Sequence, residues 1–252
     1  MPPLAIHTAI AKEVADRLQL ALLDSQRGDL YLGATAPDIR VMTRWERERT
    51  HFFDLRCFDE QSGVSGFFAA YPGLADPAAL NAATASFIAG YLSHLVADET
   101  WISTIYRPFF GERSALGGTL RANVMDRALQ FSLDAERRDD SDLMVHVVEA
   151  VARSALDLQI DFIDRETLRS WHRLIIDFVN QPPDWDRFRD RAARHLKEAG
   201  FEGADGVEEM TRSLPDLVDE TLRYLRPERV RECLQDSTHR CLGAIREYLA
   251  CA

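Results

Sequence analysis

The residues best equipped for chemistry are histidines and aspartates set among apolar neighbours in the N-terminal half: His7, Asp38, His51, His94 and Asp98. Imidazole nitrogens and carboxylate oxygens are ordinary ligands of zinc and similar first-row divalent ions. The strongest local signal is GYLSHLVADETW at 90–101, where His94 and Asp98 stand four apart. On a helix that spacing puts both side chains on one face about one turn apart. Two ligands so placed grip one ion without backbone strain. Ile88, Leu92, Leu95 and Val96 surround the pair, and a carboxylate buried there without a partner is costly. A bound ion resolves that cost; so does a His–Asp hydrogen bond, or an arginine from another helix.

The other three residues reinforce the pair. Asp38 lies in LGATAPDIR, where a short, stiff turn can aim a carboxylate; His51 enters an aromatic stretch in RERTHFF; His7 sits on an apolar stripe with Ile10 and Val14. Taken singly, each has a structural reading as a turn or N-cap aspartate or a hydrogen-bonded core histidine. Taken together, they are expected to converge on a shared cation. With ligand lengths near 2 Å, that requires the Asp38 carboxylate within about 8 Å of the His94 imidazole.

The elements that must position these side chains read as helices throughout. Ile6, Ile10, Val14, Leu18 and Leu22 recur every four residues, predicting a helix over 5–23. Gly28, Gly33 and Pro37 are expected to break the chain before Asp38, and the Gly/Ser segment SGVSGFF to precede a short helix. A long Ala-rich helix is expected from Pro77 to about Trp101 as the centre of the core, followed by helices near 117–134, 141–156, 164–179, 185–198, 206–224 and 227–250. QPPDW at 181–185 interrupts the pattern, since consecutive prolines fix φ and remove donors. No run alternates long enough to predict a strand. The expectation is a single all-α domain over 1–252, with a possible sub-boundary near 181–184.

Composition limits the partners. The 252 residues carry 30 Lys and Arg against 41 Asp and Glu, a net charge of -11, which argues against a nucleic-acid-binding surface. Cys57, Cys233, Cys241 and Cys251 show no CxxC pair and are expected to be reduced thiols; Cys233, His239 and Cys241 read as packing and surface residues rather than ligands. No signal peptide and no membrane span are evident, so a cytoplasmic protein is expected. Oligomeric state is open.

In order and surroundings, His7, LGATAPDIR with Asp38, THF with His51, and GYLSHLVADETW with His94 and Asp98 resemble the zinc-dependent phospholipase C family, which is related to the S1/P1-type nucleases. The resemblance covers roughly residues 1–110. It implies a multi-helix bundle of the phospholipase C/P1 nuclease type, in which Asp38, His51 and His94 hold one zinc, Asp98 bridges to a second ion and His7 binds that second ion. The aspartate matching Asp38 is also assigned there as a general base. The chain departs from the family in three places. It begins MPPLAIH where the family exposes a ligating tryptophan, it has no histidine between His94 and His146, and His146 is followed by Glu149 at three residues rather than by a glutamate at four. Asp126, in RANVMDRAL, is the candidate replacement ligand, with a solvated helix carboxylate as its plainer reading.

The expected function is a metal-dependent phosphodiesterase using one or two zinc or similar ions per chain and acting on a small phosphoester or phospholipid. A bound ion lowers the pKa of water from ~15.7 towards ~7, and the activated water attacks phosphorus in line. Asp38 or Glu99 would orient it, and Tyr91, Trp101, Phe52 and Phe53 would form an apolar wall. Metal retention is expected to fail on acidification as the histidines protonate. The alternative is a non-catalytic helical scaffold that keeps a structural metal site. A phosphohydrolase of the adjacent His-Asp type is disfavoured, because no such dipeptide occurs.

Overall fold

Side-chain oxygens start several of the helices, as their capping residues dictate. Ser62, Asn81, Thr119 and Asp140 each accept a hydrogen bond from the backbone N–H three residues on, satisfying a donor that the first turn would otherwise leave bare. The computed structural model describes residues 4–250 apart from 56, 180, 182–183, 185, 187–189 and 191–213. Among these the chain is all-α, with no strand. The helices are α1 (Leu4–Leu18), α2 (Ala21–Ser25), α3 (Arg27–Thr35), α4 (Arg40–Thr43), α5 (Glu48–His51), α6 (Gly63–Ala70), α7 (Ala82–Trp101), α8 (Leu120–Arg138), α9 (Ser141–Arg153), α10 (Arg165–Val179), α11 (Leu214–Leu225) and α12 (Pro227–Ala250). Apart from residues 186 and 190, the helix expected at 185–198 lies outside the described residues, as do the prolines of QPPDW and the first part of the helix expected at 206–224.

Helix α7 is the axis of the bundle. It is apolar on almost every side, which marks a helix enclosed by others, and nearly all of its residues are buried. Helices α3 and α12 lie along it, with α1 and α6 beside them. One core cluster wraps α7 with side chains from α1, α3, α9, α10 and α12. A second joins Trp101, Ile105 and Phe110 to α8 and α11. No helix among the described residues is long and apolar enough to cross a membrane.

Four local expectations are corrected. The stripe over 5–23 is two helices, broken where Gln19 takes a left-handed φ of 50°. Gly28 and Gly33 do not break the chain but lie inside α3. A Cβ on Gly33 would stand 1.9 Å from the Phe87 carbonyl oxygen, and one on Gly90 would stand 2.0 Å from that of Leu30. These glycines are contact points where α3 and α7 press backbone to backbone, and any larger residue would force the helices apart. SGVSGFF does not precede a helix; it forms α6, with Ser62 as the cap. The central helix starts at Ala82 rather than Pro77, because Pro77–Ala79 makes a separate 3-10 turn and Leu80 is extended. Past Trp101 the chain continues as a π-helix, Ile102–Phe110, that accommodates Pro108.

Candidate metal centre

The close crossing of α3 and α7 builds the centre. Immediately after α3, Ala36–Ile39 tighten into a 3-10 turn with Pro37 at its start, a position where the missing N–H costs nothing. That turn directs Asp38 towards α7. Across the crossing, His94 Nδ1 lies 2.8 Å from the Ala34 carbonyl oxygen. A carbonyl only accepts, so Nδ1 carries the proton and the Nε2 lone pair points inward. Helix α5 brings His51, whose Nδ1 lies 2.8 Å from Thr50 Oγ1. The Thr50 hydroxyl donates to the Arg47 carbonyl at 3.3 Å, so it accepts from His51 and leaves that Nε2 inward and unprotonated as well.

Three donor atoms then meet. His51 Nε2 lies 3.3 Å from His94 Nε2, and Asp38 Oδ1 lies 3.6 Å from the first and 3.8 Å from the second. Two lone pairs facing each other at 3.3 Å repel unless a cation lies between them. A circle through three atoms so spaced has a radius of about 2.1 Å, the length of a zinc–nitrogen or zinc–carboxylate bond. Asp98 Oδ2 is 3.4 Å from His51 Nε2, but Asp98 groups with His7 and His94 rather than with Asp38 and His51. On the far side His7 stacks on His94 with ring centroids 3.7 Å apart, and its Nε2 is 3.6 Å from Asp98 Oδ1.

The hydrogen-bond accounting agrees with the spacing. Both oxygens of Asp38, Asp98 Oδ1 and His7 Nε2 are buried with no hydrogen-bond partner. Buried polar atoms are almost always paired, and each one left bare costs about 1–3 kcal/mol. Two groups of side chains could hold an ion: Asp38, His51 and His94; and His7, His94 and Asp98. Both use His94, whose Nδ1 is committed to Ala34, so its single free nitrogen serves one ion at a time.

Electrostatics divide the two carboxylates. Burial raises Asp38 well above the usual carboxylate range, and the negative Asp98 adds to the shift. Burial works to raise Asp98 too, but the Arg47 guanidinium and the neighbouring histidines outweigh it and hold that carboxyl far below its ordinary value. The difference is one of position: Arg47 Nη2 sits 2.7 Å from Asp98 Oδ2 and makes no bond to Asp38. Burial lowers His94 to about 3, with His7 adding to the effect. It also lowers His51 well below 6.5, helped by the charge of Arg47. Both imidazoles are therefore neutral and available as ligands at neutral pH.

The remaining candidates fall elsewhere. Asp126 is buried but belongs to neither group. Its oxygens accept from Trp101 Nε1 at 2.9 Å and Gln130 Nε2 at 2.7 Å, which corrects both the ligand and the solvated-carboxylate readings. Burial raises it to about 6. Glu99 belongs to neither group: it accepts from the Gly63 N–H at 3.2 Å and pairs with Arg240 at 3.2 Å, anchoring α6 and α12 to α7. The expected apolar wall is interior packing. Trp101 is tied to Asp126, Tyr91 donates to the Thr50 carbonyl at 2.6 Å, and Phe52 packs on Phe67. His146 bonds to the Tyr31 hydroxyl at 2.9 Å.

Sequence reasoning missed two residues. Arg47 was legible as the side chain one helical turn before His51, four residues away. Asp134 accepts the Ala5 N–H at 2.8 Å and so fixes the first turn of α1, the turn that carries His7; nothing local in α8 signals it.

Compared with family models, with curated proteins and with solved structures, the chain matches none.

Proposed function

We propose that this chain is a metal-dependent phosphoester hydrolase, resembling the zinc-dependent phospholipase C family and acting on a small phosphoester or phospholipid. One observation carries the reading: Asp38 Oδ1, His51 Nε2 and His94 Nε2 lie at the separations of ligands around one zinc-sized ion, and both Asp38 oxygens are otherwise unpartnered. Bound there, zinc or a similar ion would supply Lewis-acid polarisation of a phosphoryl oxygen and acidify a coordinated water. The chain's own groups do the rest. His94 is held in one tautomer by Ala34 and His51 by Thr50, which keeps both nitrogens aimed inward. Asp38 Oδ2 is the acceptor for a proton released from water, since burial raises its affinity for protons. Asp98 Oδ1 faces His7 Nε2 at 3.6 Å, in the second group of side chains that could hold an ion.

Full-length protein loaded with zinc should hydrolyse bis-p-nitrophenyl phosphate. Absence of turnover in a protein that has demonstrably bound zinc would reject this reading. One observation favours a second reading, a scaffold with a structural ion: the side chains of His7, Asp38, His51, His94 and Asp98 are at most 4% exposed, and structural sites are closed. Bound metal with no turnover of any phosphoester is the outcome that reading expects.

A further inference from the structure

Among the described residues, Arg47 is the cation bonded to a carboxylate of the centre, and a guanidinium cannot itself ligate an ion. Its Nη2 bonds Asp98 Oδ2 at 2.7 Å, the oxygen that also lies 3.4 Å from His51 Nε2. Its Nε is buried without a partner. At 13% its side chain is the most exposed of the six at the centre. The backbone beneath it is fixed: Arg49 stacks over Trp45 at 3.6 Å, Arg40 Nε donates to the Trp45 carbonyl at 3.3 Å, and Tyr91 holds the Thr50 carbonyl.

From this geometry we infer that Arg47 is the phosphoryl-binding residue of the centre, exchanging its bond to Asp98 for phosphoryl oxygens when an ion takes that carboxylate with His7 and His94. The inference rests on the hydrolase reading and names how its substrate is held. Guanidinium and dication compete for the same carboxylate, because a positive charge beside the ion position opposes a second one. Once displaced, the planar fork presents several N–H donors, including the unpartnered Nε, to a tetrahedral anion. It can do so bidentately, which an ammonium cannot. The buried donor without an acceptor and the carboxylate with two competing cations are then one device, in which ion binding prepares the anion site.

Calorimetric titration of the full-length, metal-free protein with zinc, and of the zinc-loaded protein with inorganic phosphate, tests this in wild type, Arg47→Gln and Arg47→Lys. Arg47→Gln should bind zinc about tenfold tighter or more, since the competing charge is gone, and phosphate about tenfold more weakly or worse. Arg47→Lys keeps the charge but not the fork. It should bind zinc like wild type and still lose phosphate affinity, so the inference stays testable even if the glutamine variant does not fold. Zinc affinity unchanged or weakened in Arg47→Gln, or phosphate affinity unchanged in Arg47→Lys, overturns it. Dimethyl phosphate in place of phosphate separates a diester-binding centre, which takes both, from one that takes only the free anion. None of these readouts needs turnover. Loss of the hydrolase reading through absent catalysis is therefore distinguishable from loss of this one.

Discussion

Asp38→Asn separates a centre built for an ion from a polar network that merely holds the fold. In the ion-free protein both carboxylate oxygens of Asp38 are buried and unpartnered, and burial with the nearby Asp98 disfavours its charge. Neutralising it at nearly constant shape removes a buried charge beside Asp98 and should raise stability by roughly 1–3 kcal/mol, the scale of desolvating a group without its partner. That corresponds to a Tm gain of about 2–4 °C per kcal/mol for a chain of this size. Zinc should act in the opposite sense. At a free concentration one hundred times its Kd, zinc stabilises wild type by about 2.7 kcal/mol. If the lost ligand weakens binding about a hundredfold, the same concentration gives the variant only about 0.4 kcal/mol. Differential scanning calorimetry with chelator and with zinc reads both. The sign with pH is also fixed. A carboxyl whose folded pKa lies above its unfolded 3.8 contributes most to stability below 3.8 and loses that contribution as pH rises through the folded value. The advantage of the variant should thus grow towards neutral pH and vanish near pH 4. A metal-free variant less stable than wild type, with an undiminished zinc response, would refute the reasoning.

Three further outcomes are expected. His94→Ala and Asp98→Ala should each abolish zinc uptake and phosphodiesterase activity, read by elemental analysis and p-nitrophenol release; full activity in both would end the hydrolase reading. Gly90→Ala should cost about 3 kcal/mol or more, because its Cβ would stand 2.0 Å from the Leu30 carbonyl oxygen and no flexible side chain is there to give way; an unchanged denaturant midpoint would contradict the crossing. Acidification should release the ion through Asp38 rather than through the imidazoles, since burial lifts the carboxyl while holding His94 down to about 3. Chelator-monitored release with the His94 ring still neutral by NMR is the expected result, and ring protonation preceding release is the refuting one.

That last point revises the expectation drawn from the residues alone, and the reason shows what a sequence exposes. The four-residue spacing of His94 and Asp98 is local, so periodicity predicts their shared face. The apolar neighbours predict burial, and with it an unusual environment. The direction of each pKa shift, however, depends on which carboxylate Arg47 touches, and that contact spans 51 residues of chain. Gly28 and Gly33 mislead for a related reason. Local propensity scores glycine as a helix breaker, while here its missing Cβ is used by partners on α9 and α7. Asp126 and Asp134 look alike in sequence, as acids on α8 amid apolar residues. One is taken up by Trp101 and Gln130 and the other by the start of α1, distinctions that tertiary packing alone makes.

The tightest packing and the candidate chemistry occupy the same place, which constrains how the centre can vary. Gly33 and Gly90 let α3 and α7 approach so closely that the last turn of α3 offers a backbone carbonyl, Ala34, to His94 Nδ1, and the next residues swing Asp38 alongside. A carbonyl cannot be removed by substitution, so the tautomer of His94 is set by the fold rather than by a second side chain. His51 depends on Thr50 for the same service. Thr50→Val should therefore loosen His51 and weaken zinc binding by about 10–100-fold, the usual scale for an outer partner of a metal-ligating histidine. No single side chain adjacent to His94 offers a comparable handle. A wild-type zinc affinity in Thr50→Val would show that hydrogen bonding at Nδ1 does not hold these imidazoles in place, and that burial alone does.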